Sequence, residues 1–160
     1  MRDKLAVDIF QANDGGEVGE CSTEPVGKAR IIAGSFRGTK GPASTFSPVE
    51  LWDINIAKKD ATVDLPFNQD HNCIVFVRSG SIDVVGDINT KGHVGPQAVA
   101  LTERNGNFLR IKSGEPDTSV LIMGGLPLDE PIAARGPFVM NTHDEIIQAN
   151  RDYQFGKFGS

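Results

Sequence analysis

Histidine, cysteine, tryptophan and tyrosine are all scarce in this chain. Its 160 residues include three His, two Cys, one Trp and one Tyr. The histidines stand at 71, 93 and 143, so no His-x-His pair is available to seed a metal site. Two cysteines do not make a disulfide framework. Cys73 sits in an apolar run and is expected to pack as a small hydrophobe, whereas Cys21 lies in an acidic, Gly-rich stretch and reads as an exposed thiol. No apolar run approaches the ~18 residues of a membrane span, and the opening MRDKLAVDIF is too short and too acidic for a signal peptide. A cytoplasmic location, or a nuclear one in a eukaryote, is the expectation. Positive charge is not in excess either: the net charge is −5 and the isoelectric point is about 5.1, which argues against a broad nucleic-acid surface. Lys28, Arg30, Arg37 and Lys40 fall close together and read as a solvated rim. The Gly34–Gly41 loop has no Walker spacing and no helix after it.

The chain is rich in turn formers, with 18 Gly and 9 Pro, and in Val and Ile, a composition that favours short strands between frequent turns. Residues 1–28 are weakly patterned and read as a flexible arm, although KLAVDIF at 4–10 could dock as one strand. Strands are predicted at Ala29–Ala33, Val49–Ala57, Ala61–Leu65, Cys73–Val77, Ser81–Val85, Ala98–Thr102, Phe108–Ser113 and Ser119–Met123. In the second of these, Trp52, Ile54 and Ile56 share a face at period two. About eight such strands indicate a sandwich or a closed barrel. Residues 126–160 form an extended Pro-rich arm and a helix. Thr142-His-Asp-Glu145 has the form of a capping box, so the helix is expected over about 142–154, ending before Gly156.

Three segments carry a family resemblance. They are RIIAGSFRGTKGP at 30–42, FVRSGSIDVVG at 76–86, and GGLPLDEPIAARGPFVMNT at 124–142 with the helix and terminal FGKFG after it. In this order they resemble the C-terminal half of pirin-family proteins, which are bicupins. The resemblance covers about residues 29–159 and implies an all-β fold: a single cupin-type antiparallel barrel at 29–125, followed by the arm and helix. It also implies that the family's iron, held by three His and one Glu, belongs to the other barrel. Reported family roles are transcriptional co-regulation in animals and quercetin 2,3-dioxygenase activity in some members.

The residues here depart from a cupin metal set. The segment before Gly80 reads Pro66-Phe-Asn-Gln-Asp-His71-Asn-Cys73, with one histidine, and Asn72 or Cys73 falls near the slot for Glu. His71, Asp70 and Cys73, with His93 recruited from its loop, are the remaining metal candidates, and no resident cofactor is expected. His71 otherwise reads as a loop residue hydrogen-bonded at the barrel mouth, and His143 as an exposed residue of the first helical turn. No catalytic residue is assigned. The expected function is a metal-free binding or interaction module. The rival is an iron-dependent quercetin 2,3-dioxygenase whose metal site is completed by another chain or sits unusually at His71. The expected partner is a second copy of this chain or a separate pirin-type N-terminal barrel. Ile146, Ile147, Tyr153, Phe155 and Phe158 are the candidate interface.

Overall fold

The computed structural model describes residues 6–12, 20–85 and 91–158. The strands are β1 (Ala6–Ala12), β2 (Glu20–Ala33), β3 (Ser35–Phe36), β4 (Thr39–Lys40), β5 (Val49–Ile56), β6 (Thr62–Pro66), β7 (Asn72–Ser79), β8 (Ile82–Val85), β9 (Lys91–Val94), β10 (Val99–Thr102), β11 (Phe108–Ser113), β12 (Thr118–Gly125), β13 (Ala133–Arg135) and β14 (Phe138–Met140), and one helix, α1, spans His143–Gln154. They belong to two units, one ending at Pro127 and one beginning at Leu128.

The first unit is built on two antiparallel sheets, ordered β1-β2-β5-β12-β7-β10 and β6-β11-β8-β9. Period-two alternation decides which side chains enter the core. On β5 the inward set is Glu50, Trp52, Ile54 and Ile56, on β7 it is Cys73, Val75 and Val77, and on β11 it is Leu109, Ile111 and Ser113. The registers align these into rows. Trp52, Ile122 and Val75 form one, and Ile54, Val120 and Val77 the next. This is the all-β cupin architecture. The run FVRSGSIDVVG resembles a cupin hairpin in which a glycine closes a strand pair; Ser79 and Gly80 do turn the chain, but the strands they join do not pair with each other. β7 pairs with β12 and β10, while β8 pairs with β11 and β9. The chain changes sheets at Gly80, where φ is 72°. A Cβ there would stand 2.5 Å from Thr118 Oγ1, so only glycine suits both the dihedral and the space.

The expected flexible arm at 1–28 is corrected over much of its length. β1 pairs with β2 through two register shifts around Phe10, which faces Pro25, and a bulged edge is where a ladder tolerates proline. Ile9, Ala12 and Val26 are buried, and Gln11 Oε1 accepts a hydrogen bond from the Thr62 amide. Apolar burial on an edge strand outweighs the weak sequence pattern. Residues 13–19 lie outside the described set, as does the Cys21 side chain.

The second unit is also more ordered than an extended arm. β13 and β14 pair across a turn at Gly136, where φ is 60°, and Phe138, Tyr153 and Phe158 form a ring cluster with centroids 5.5–6.5 Å apart. The capping box is present. Thr142 Oγ1 accepts from the Glu145 amide at 3.3 Å, and Glu145 Oε2 accepts from the Thr142 amide at 2.8 Å. These bonds hold the Glu145 carboxyl below its usual range, the Thr142 hydroxyl contributing most. A depressed carboxylate stabilises the helix above its unfolded pKa and loses that effect as pH falls through the folded value. Acidification through the carboxylate range is therefore expected to lower the protection of first-turn amides of α1 relative to their intrinsic exchange rates, and Glu145→Gln should flatten that pH dependence.

No described helix is long and apolar enough to cross a membrane.

Candidate functional site

At one end of the six-stranded sheet the inward row changes character. Register places Glu50 of β5 opposite Gly124 of β12, Gly124 opposite Cys73 of β7, and Cys73 opposite Thr102 of β10. Gly124 leaves the room that this end of the barrel needs. A Cβ on it would stand 2.1 Å from the Phe67 ring, so the 67–71 loop can fold inward only over a glycine. Phe67 continues an edge-to-face series from the core: Phe36 to Trp52 at 5.0 Å, Trp52 to Phe67 at 5.6 Å and Phe67 to His71 at 6.4 Å. Offset and edge-on pairs of this kind add to area burial and fix ring orientation.

The loop delivers His71 onto Glu50. His71 Nδ1 lies 2.8 Å from Glu50 Oε2, and Asn68 Nδ2 donates to Glu50 Oε1 at 2.8 Å. Glu50 is 6% exposed and His71 8%, so the carboxylate is buried and both of its oxygens are held. Beside it opens a cavity of about 500 Å³, whose walls include Phe67, His71, Cys73, Val94, Leu109 and Arg110. That size is within the range of small-molecule sites. On its far wall Arg110 of β11 faces Asp64 of β6 across the ladder and grips it with two bonds, Nε to Oδ1 at 2.6 Å and Nη2 to Oδ2 at 2.7 Å.

Of the four metal candidates, the fold brings two together. His71 and Cys73 both line the cavity. Asp70 is exposed, in the left-handed region at φ 70°. His93 lies on β9 and pairs with Asp83 at 2.9 Å on the exposed face, while its neighbours Gly92 and Val94 line the cavity. Strand alternation turns His93 away from the site. The donor set does not fit iron. Glu50 engages one nitrogen of His71, and among the described residues no three His, Cys, Asp or Glu side chains gather as a cation would need. Cys73 is unsuited as a thiolate. Burial pushes its thiol from 9.0 up to about 11, against a weak opposing hydrogen bond from Thr102, with the Glu50 charge adding to the rise. The folded state thus keeps a proton that the unfolded chain releases, so stability falls as pH rises above about 9. At pH 8 the native Cys73 thiol is expected to resist alkylation by iodoacetamide and to react once urea unfolds the chain, as peptide mass mapping would show; rapid native labelling would refute the burial.

Sequence reading missed Glu50, Asn68 and the Asp64–Arg110 pair. One signal was present: Glu50 continues the inward period of Trp52, Ile54 and Ile56, a carboxylate where a core residue belongs. The interface candidates separate. Ile146 is 1% exposed and is no docking residue, whereas Ile147, Tyr153, Phe155 and Phe158 are exposed. Ile146 and Ala149 are the buried positions of α1, because residues three apart share a helix face. His143 is exposed, as expected.

The sequence profile of the Pirin C-terminal cupin domain matches residues 51–159. A Pseudomonas aeruginosa protein provisionally named a quercetin 2,3-dioxygenase is 39% identical over 133 residues, which are 82% of this chain and 44% of that one. Mouse pirin is 28% identical over 130 residues, covering 81% of this chain and 44% of pirin. A crystal structure of quercetin 2,3-dioxygenase from Acinetobacter baumannii superposes with a TM-score of 0.72 at 35% identity, over 96% of this chain and 48% of that one. The chain spans about half the length of each of these relatives. With its two cupin sheets, its capped C-terminal helix and a profile match across most of its length, the chain belongs to the pirin family and corresponds to that family's C-terminal cupin domain.

Proposed function

We propose that this chain is a metal-free cupin module that binds a small molecule or a protein partner and does not catalyse on its own. The observation that supports this reading best is the His71–Glu50–Asn68 network. A cupin metal centre needs several side chains converging on one point with a coordination position left open. Here both oxygens of the central carboxylate are taken up by His71 and Asn68, and the adjoining thiol is held protonated. The cavity beside them is what remains for function.

The test is elemental analysis of the purified protein after incubation with ferrous iron and desalting, together with quercetin turnover under air. Substoichiometric metal and no turnover agree with the module. About one equivalent of iron, with turnover abolished by His71→Ala, would instead establish a dioxygenase, the activity that the Acinetobacter relative's name carries. The same reading includes association through the exposed rings of α1 and its flank, either with a second copy or with a separate N-terminal barrel, and a cytoplasmic or nuclear location. Tyr153, Phe155 and Phe158 concentrate apolar surface there. Light scattering should give about twice the 17.2 kDa chain mass, and Tyr153→Ser with Phe158→Ser should shift it toward the monomer. A monomer at micromolar concentration would remove self-association.

A further inference from the structure

His71 has two ring nitrogens, and Glu50 takes only one. A carboxylate can only accept, so Nδ1 donates its N–H to Glu50 Oε2, which in a neutral imidazole leaves Nε2 as the acceptor. Nε2 has no hydrogen-bond partner among the described residues. It is not sealed off either: among those residues, the one fully buried side-chain polar atom without a partner is Trp52 Nε1. His71 lines the cavity and Glu50 does not, and the ring nitrogen that Glu50 leaves open is Nε2. The His71 ring is thus held by a buried carboxylate, with Asn68 holding the carboxylate in turn.

The rest of the lining narrows the ligand. Phe67, Val84, Val94 and Leu109 are apolar wall. Arg110 is committed to Asp64, whereas Arg104 on the same lining is exposed and forms no ion pair among the described residues. A second carboxylate at the His71 end would sit against Glu50 and be repelled, and a bare ammonium would be stripped of water by apolar walls. A neutral hydroxyl suits that end and an anion suits Arg104. We infer that the cavity binds a small hydroxylated aromatic acid, its hydroxyl donating to His71 Nε2, its ring lying along Phe67 and Leu109 and its carboxylate turned to Arg104. This rests on reading the cavity as a binding site.

The experiment uses 4-hydroxycinnamate as the probe, with cinnamate lacking the hydroxyl and 4-hydroxycinnamide lacking the charge. Imidazole nitrogen NMR on the full chain should show His71 as the Nδ1–H tautomer before any ligand is added, and 4-hydroxycinnamate should move its Nε2 resonance. Cinnamate should bind about tenfold more weakly, the worth of one buried hydrogen bond. Arg104→Gln, at an exposed position that leaves folding intact, should weaken the acid about tenfold and leave the amide unchanged. A protonated Nε2 in the free protein, or equal binding of the hydroxylated and unhydroxylated acids, would overturn the His71 assignment while leaving a cavity that binds. If no probe binds at millimolar concentration the ligand class is wrong. A fragment screen read at the Val94 and Leu109 methyls then judges the binding reading separately, since silence there would sink it too.

Discussion

Replacing His71 with leucine is expected to destabilise the fold by about 3 kcal/mol, because the buried Glu50 carboxylate would lose one of its two hydrogen-bond donors. The magnitude follows from position. Both side chains are 8% exposed, so neither can turn to water, and Asn68 alone cannot replace a charge-assisted bond. Urea unfolding followed by the fluorescence of Trp52, the single tryptophan, would measure the change. Glu50→Gln should cost less, since a neutral amide can still accept from His71. His71→Leu combined with Glu50→Leu should recover much of the loss, because the buried, undersatisfied carboxylate is then gone. A loss below about 1 kcal/mol for His71→Leu would mean that the bond behaves as a solvent-exposed one and refute its burial.

The second large effect is expected at Arg110. Its guanidinium is 11% exposed and the Asp64 carboxylate 6%, and the two meet through parallel bonds. Arg110→Leu should cost about 3–5 kcal/mol by stranding Asp64. Arg110→Lys should recover only part of it, since a point charge cannot reproduce the planar fork. Because Arg110 also lines the cavity, the same variants would perturb ligand binding. Equal stability of the Lys variant and the parent would show that the bidentate geometry contributes nothing. The two sites lie on different sheets, with Glu50 on β5 and Arg110 on β11, so a combined variant tests whether they act independently.

Much of this was legible beforehand. Most strand positions from Val49 to Gly125 followed from period two, because one face of a strand is buried and the other is not, but β9 at Lys91–Val94 was not foreseen. The helix followed from Thr142 and Glu145, whose side chains answer backbone groups only three residues away. Such signals are local, so sequence carries them. The N-terminal strands were weaker: β1 and β2 are bulged around Phe10 and Pro25, and a bulge breaks the alternation by which a strand is recognised.

The site was different. Sequence by itself determined that no His-x-His pair exists, that His71 and Cys73 stand two apart, and that Glu50 sits in step with Trp52, Ile54 and Ile56. It did not say that Glu50 and His71, 21 residues apart, would be hydrogen-bonded, nor that Asp64 and Arg110, 46 apart, would pair. Nor did it say that the chain changes sheets at Gly80. Those outcomes depend on register between strands distant in the chain, and register is set by the packing of both sheets at once. The space that lets Phe67 carry His71 inward is the missing side chain of Gly124, a residue more than fifty positions away, which is why the cavity and its fixed histidine became visible only in three dimensions.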